Sequence, residues 1–499
     1  MSTLEAPAAP PPRPRPALAE SEPLSAVDHA WLRMDEPANL MQINGVLVLD
    51  EPLPLERVKS IVRRRLLPIA RFRQRVAAEG GGHPSWEEDP ELDLDRHVLE
   101  QRLPEPGDDE ALSAVVGELM SAPLEPRRPL WEFRLLQNYR GGCALFARIH
   151  HAIGDGVALM LVLLSLTDTE PSGPAAVEPQ PDEAERPEPP EEQGRNPFTE
   201  LFCHPGRDLA RVRALAEEIM PDGLRLLLQP VEALRRARLA TGVGSVGSFG
   251  RLLARPADPK TPFKGPLGVP KLAAWSERLA LAEVKEVGKA LGGTVNDVLL
   301  SATAGGLRRY LLRQGEPPRS LNIRAAMPVN LRPFGKMHEL GNHFGLIFLS
   351  LPLGIRDPLA RLAEVRRLTR ALKRSTEPVV VYGILRALGR VPLAIQRQVV
   401  KIFATKATAV MTNVPGPRQI LYLAGKPVRD IFFWVPQSGH VGLGVSICSY
   451  NGAVRLGVGT DAGLIPDPRA IVEGFHAEFA ELLGLARRSP AEPSGAEPS

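Results

Sequence analysis

At 499 residues the chain is too long for one ordinary hydrophobic core and points to two domains plus connecting material. Its 43% hydrophobic residues can fill such cores, and a net charge of +3, from 61 basic against 58 acidic residues, excludes a global field directed at nucleic acid. Cys143, Cys203 and Cys448 are odd in number and widely spaced, which excludes a disulfide framework or a Cys-x-x-Cys metal site and points to a reducing cytoplasm.

Residues 1–20, rich in proline and alanine without an apolar run, predict a disordered tail and no secretory signal. An N-terminal domain is expected over 21–167. In it Gly45 to Leu49 and Trp131 to Leu135 read as strands, and Asp109 to Met120 reads as a helix. Pro129-Leu130-Trp131 opens the second strand, where the indole would be buried. Cys143 to Arg148 reads as a further strand. Val157 to Leu166, apolar nearly all round, reads as a buried helix. It is about half the ~20 residues a membrane span needs, so a soluble or peripheral protein is expected.

Asp168 to Gly194 is made of Pro, Glu, Asp and Ala and reads as an acidic linker without a core of its own. A helical connector over 195–264 becomes basic near Arg235, Arg236 and Arg238. It could lie on an anionic membrane or present a solvated face of a packed helix. Gly242 to Gly247 satisfies Gly-x-Gly-x-x-Gly, but no strand feeds it, so it reads as linker. A C-terminal domain is expected over 265–486 and a second disordered tail over 487–499. Leu321 to Ala325, Gly345 to Leu353 and Val441 to Val458 read as its strands, the last folded into a hairpin at Asn451-Gly452. Asn296 and Asp297 precede a helix over Val298 to Leu311, as caps would. Asn413 to Pro417 reads as turn chemistry after a strand over Ala409 to Thr412. The fold class that follows is α/β, two domains with mixed sheets.

The run His150-His151-Ala152-Ile153-Gly154-Asp155-Gly156 falls between a strand and a buried helix. A histidine leaving a strand end can face a cleft, and the glycines permit close backbone approach. Asp155 can cap the helix or pair with an arginine. Neutral imidazole, with a pKa near ~6.5, suits removal of a hydroxyl proton during acyl transfer. A thioester is already activated, so no protein nucleophile is needed, and no Gly-x-Ser-x-Gly elbow occurs. The same residues could instead be metal ligands, although adjacent side chains rarely reach one ion. They could also form a core pair with local hydrogen bonds.

His-His-x-x-x-Asp-Gly resembles the motif of the superfamily that includes chloramphenicol acetyltransferase, carnitine acyltransferases, plant acyltransferases and condensation domains. Within it, the chain resembles the wax ester synthase/diacylglycerol acyltransferase family. The resemblance rests on Leu24 to Asp28, Pro129-Leu130-Trp131, Gly265 to Gly268, Thr294 to Leu299 and Asn413 to Pro417, in that order, and covers about 22–168 and 260–485. It implies two chloramphenicol-acetyltransferase-like domains packed face to face, with an active-site tunnel between them. It implies His151 as general base beside His150, with Asp155 mainly structural and Gly156 closing the motif. It implies transfer of a long acyl chain from acyl-CoA to a fatty alcohol or to diacylglycerol, without a cofactor or metal. For Asn296 it implies an amide that orients His151 or contacts substrate, and for Asn413 and Pro415 a place near the tunnel. Peripheral contact with an anionic membrane or lipid droplet is expected. Two rivals stay open: an acyltransferase fed by a carrier protein, and a silent homologue that binds lipid or a partner.

Overall fold

A computed structural model of the chain describes residues 21–77, 83–171, 255–332, 340–372, 377–437 and 439–488. The expected N-terminal tail, residues 489–499 of the C-terminal one, nearly all of the acidic linker, Cys203, the arginines at 235–238 and the glycines at 242–247 lie outside the described residues, whereas Arg487 and Arg488, expected in the tail, are the last turn of a helix. The first half runs β1 (Glu22–Pro23), α1 (Ala26–Met34), β2 (Gln42–Leu49), α2 (Leu55–Ile61), β3 (Gln74–Ala77), β4 (Ser85–Glu88), β5 (Val98–Arg102), α3 (Asp109–Ser121), β6 (Trp131–Tyr139), β7 (Gly142–His150) and α4 (Gly156–Ser165). The second runs β8 (Lys271–Trp275), β9 (Leu279–Ala280), α5 (Leu281–Leu291), α6 (Val295–Arg313), β10 (Ile323–Asn330), β11 (Phe344–Leu351), α7 (Pro358–Leu372), α8 (Glu377–Leu388), α9 (Leu393–Thr405), β12 (Ala409–Pro415), β13 (Tyr422–Leu423), β14 (Lys426–Trp434), β15 (Leu443–Tyr450), β16 (Ala453–Asp461) and α10 (Pro468–Arg488).

Two mixed sheets organise these elements, as an α/β fold with runs of apolar strand requires. The first is six-stranded, in the order β13-β14-β2-β7-β6-β5, with only β5 and β6 parallel. Its central strand β7 is buried at every position, which is why its sequence is continuously apolar from Cys143 to Ala147 and does not alternate there. Leu145, Ala147 and Ile149 join one core cluster with α4, while Ala144 and Phe146 join another with α3. The second sheet is seven-stranded, in the order β11-β10-β12-β15-β16-β8 with β9 on the flank of β16. The β15–β16 hairpin turns at Asn451 and Gly452, whose φ values of 44° and 71° are the left-handed pair that a two-residue turn demands. Among the described residues, no helix is long and apolar enough to cross a membrane.

The sheets do not respect the division drawn at the linker. Strand β14, from the second half, pairs with β2 and extends the first sheet, with Trp434 opposite Asn44 and Ile431 opposite Leu47. In return α3 lies on β8, where the Ser113 hydroxyl donates to the Ala273 carbonyl at 2.6 Å. The halves therefore interlace. Strand pairing follows whichever sheet edge needs cover, not the composition of the linker between the halves. Two boundaries move for similar reasons. Asp168 belongs to the folded body around the first sheet through its pair with Arg65 at 2.7 Å and its bridge to Tyr422 of β13, and Phe263 is fully buried in the second core ahead of residue 265. Strand β12 continues through Asn413 to Pro415, because parallel pairing with β15 holds residues expected in a turn.

Candidate active site

Strand β7 delivers His150 opposite Gln42, and the chain then turns away. His151 N–H donates to the Met41 carbonyl at 2.7 Å, and Ile153 N–H donates back to His150 at 3.0 Å. The turn is clamped from the other half by the segment leading into β11. Gly341 N–H donates to the Ile153 carbonyl at 2.9 Å, and Asp155 N–H donates to Gly341 at 3.3 Å. Gly341 has φ of +94°, and a Cβ there would stand 3.1 Å from an Asp28 carboxylate oxygen, so glycine is required. The next residue, Asn342, meets the histidine.

His151 Nδ1 lies 2.8 Å from Asn342 Oδ1. The amide orientation follows from its other contacts. Asn342 Nδ2 donates to Asp28 Oδ1 at 2.7 Å and to the His151 carbonyl at 2.7 Å, so Oδ1 must face the ring. That oxygen accepts only, which assigns the proton to Nδ1 and leaves a lone pair on Nε2. Asp28 is itself held by the Ser25 hydroxyl at 2.6 Å and by Asn342 N–H at 3.0 Å. Burial pushes the Asp28 carboxyl up, against the lowering effect of its bonds from Ser25 and Asn342. Trp31 stacks on the imidazole at 4.2 Å and 10°, and Phe344 stands 5.4 Å away. Burial between these rings lowers the His151 pKa to about 4, so the ring is neutral at cellular pH.

His150 does different work. Its Nδ1 accepts from Ala152 N–H at 3.0 Å, and its Nε2 faces Asp35 at 3.7 Å. The two histidines thus turn to separate partners, a geometry unsuited to chelating one ion. Among the described residues, no three His, Cys, Asp or Glu side chains converge on a metal position. Asp155 performs both of its expected roles. Oδ1 caps α4 by accepting from Ala158 N–H at 3.0 Å, and Oδ2 accepts from buried Arg332 at 2.9 Å and from His343 N–H at 3.1 Å. Gly156 is exposed at the start of α4, and a Cβ there would meet nothing.

The remaining expected residues lie farther out. Trp131 is buried, donates from Nε1 to the Phe72 carbonyl at 2.9 Å and stacks on His97, so it braces the first sheet. Leu130 accepts from His150 N–H at 2.9 Å, and Pro129 stands ahead of it in the same strand lead-in. Asn296 and Asp297 are not the helix cap. Thr294 is, and Asp297 completes a capping box with it at 2.9 Å while accepting from Thr369. Nor is Asn296 the amide on His151, since it accepts from Asn413 Nδ2 at 2.9 Å on the second sheet. Pro415 ends β12 opposite Ser449. The amide role expected of Asn296 falls to Asn342, which sequence reasoning missed. Its only local signal was Gly-Asn ahead of an apolar strand.

Comparison with known proteins places this geometry in context. Residues 24–299 match the wax ester synthase/diacylglycerol acyltransferase catalytic domain, and residues 340–483 match the WS/DGAT C-terminal domain. A putative diacylglycerol O-acyltransferase of Mycobacterium tuberculosis is 33% identical over 488 residues, covering 93% of this chain and 97% of that protein. A probable diacylglycerol O-acyltransferase of the same organism is 27% identical over 480 residues, covering 93% and 96%. Among solved structures, the wax ester synthase/diacylglycerol acyltransferase from Marinobacter aquaeolei VT8 aligns with a TM-score of 0.65 at 23% identity, covering 93% of this chain and 100% of that one. The first condensation domain of the calcium-dependent antibiotic synthetase aligns at 0.56 with 12% identity, covering 95% and 98%. At these identities the two structures show the shared two-domain α/β fold.

Proposed function

The chain belongs to the wax ester synthase/diacylglycerol acyltransferase family, and we propose that His151 is the general base with which it moves a long acyl chain from acyl-CoA to diacylglycerol or a fatty alcohol. The observation that carries this reading is the bond from His151 Nδ1 to Asn342 Oδ1, which leaves Nε2 free to take a proton. An acceptor hydroxyl within about 3 Å of Nε2 loses its proton as its oxygen attacks the thioester carbonyl. The resulting imidazolium returns that proton to the departing CoA sulfur when the C–S bond breaks. While charged, the ring keeps its bond to Asn342, whose amide is polarised by the Asp28 carboxylate behind it.

Acyl-CoA and the acceptor would enter a tunnel along the seam of the two halves. Trp31 and Phe344 supply an apolar wall beside His151. Val414, between Asn413 and Pro415, packs on the core of the first half, which supports a tunnel-side place for that strand end. We also propose that the chain meets its lipid acceptor at an anionic membrane or lipid droplet.

The test is ester formation from labelled palmitoyl-CoA with a series of alcohols from C2 to C18 and with diacylglycerol, repeated with a carrier-bound donor. Each buried methylene contributes ~0.8 kcal/mol, so rates at limiting alcohol should climb with chain length until the tunnel ends. A flat dependence would remove the long-chain acceptor, and preference for the carrier-bound donor would remove acyl-CoA.

A further inference from the structure

Helix α9 is thinly covered. Its Leu393, Ile395 and Ile402 are 39%, 51% and 37% exposed, and Ile395 and Ile402 are spaced to share one side of the helix. An adjoining side is fastened to α1 by Gln396, whose Nε2 donates to the Ala30 carbonyl at 2.8 Å, and the lead-in to the helix is held by Arg33, which donates to the Val391 carbonyl at 3.0 Å. Charge along this stretch of sequence has one sign. From Pro378 to Arg429 the sequence holds no acidic residue, while Arg386, Arg390, Arg397 and Lys401 are exposed. Arg397 meets one carboxylate, Glu36 at 3.6 Å, and both side chains are more than half exposed, so that pair is weak.

A helix that only faced water would have no need of isoleucines two turns apart on its outer side. A helix that exposes isoleucines along one flank and cations along the other suits the headgroup layer of an anionic bilayer: the isoleucines enter the acyl boundary and the long cationic side chains reach the phosphates. We infer that the exposed face of α9 is the surface by which this chain docks on an anionic lipid membrane. Its purpose rests on the acyl-transfer reading. Helix α9 packs on α1, and α1 carries the Trp31 that covers His151, so docking here brings the base close to the phase in which diacylglycerol dissolves.

The test uses the full chain and phosphatidylcholine vesicles with or without phosphatidylglycerol. Wild type should sediment with the phosphatidylglycerol vesicles, and less so as salt rises. Ile395→Ser with Ile402→Ser, and separately Arg397→Gln with Lys401→Gln, should each weaken that binding roughly tenfold or more. Melting temperature should be unchanged, because these side chains are exposed. Both variants should esterify detergent-dispersed decanol like wild type, yet lose turnover of diacylglycerol embedded in vesicles. Wild type that does not sediment, variants that bind undiminished, or equal binding to neutral vesicles would each overturn the docking surface. Vesicle binding without ester from either acceptor would overturn the acyl-transfer reading and leave the docking surface standing.

Discussion

A base must be neutral before it can take a proton, and burial keeps the proposed base, His151, so by lowering its pKa to about 4. The acid limb of kcat/KM is therefore expected well below the ~6.5 of free imidazole; a limb at that value would mean a solvated ring. Stability carries the same signature. The unfolded chain takes up the proton at its ordinary 6.5 and the folded chain only near 4, so the neutral ring favours folding above 6.5 and that contribution drains away as pH falls between the two. Melting temperatures of wild type should thus fall more steeply across this window than those of His151→Gln, and parallel slopes would contradict the assignment. In turnover, His151→Ala should lose ~10²–10⁴. His150→Ala should be milder, since both of its ring nitrogens face the turn and Asp35. Asn342→Ala should cost roughly ten- to hundredfold in kcat with KM for acyl-CoA held, as when a partner that orients a metal-bound histidine is removed. An unchanged kcat would make that amide merely structural. His151 and Asp155 were legible because their chemistry sits in one short turn. Asn342 was not, because nothing within its own segment says which distant ring it will meet.

Elements whose cause is local were read well from sequence, and those defined by partners were not. The Asn451-Gly452 hairpin and the apolar helix α4 announce themselves through turn chemistry and composition. The end of β12 did not, since Asn413 and Pro415 are strand residues only by virtue of β15 beside them. Asp155 joins two elements, capping α4 and pairing with Arg332, whose side chain is buried. Asp155→Ala would strand that guanidinium, at about 3–5 kcal/mol, and also forfeit a cap of about 1 kcal/mol. Asparagine caps as well as aspartate, so Asp155→Asn separates the two. Denaturant midpoints are expected to fall almost as far for Asn as for Ala, and a near-native Asn variant would assign the loss to the cap instead.

At the scale of the whole molecule, β14 makes the two halves one folding problem. Residues 21–171 expressed alone would leave β2 as a bare edge with Val46 and Val48 uncovered, and the fragment is expected to aggregate or melt without cooperativity. The full chain should unfold in a single calorimetric transition, and two resolved transitions would show that the interlacing is superficial. Two α/β halves were evident from the apolar runs and the linker; the exchange of β14 was not, because a strand carries no mark of the sheet it will join. The bond between His151 and Asn342 spans 191 positions and crosses from one half to the other. A descendant could therefore keep all seven residues of the histidine motif unaltered and still lose most of its turnover through one substitution far downstream. A survey that tallies active enzymes by the motif alone is counting an imidazole without asking what holds its proton in place.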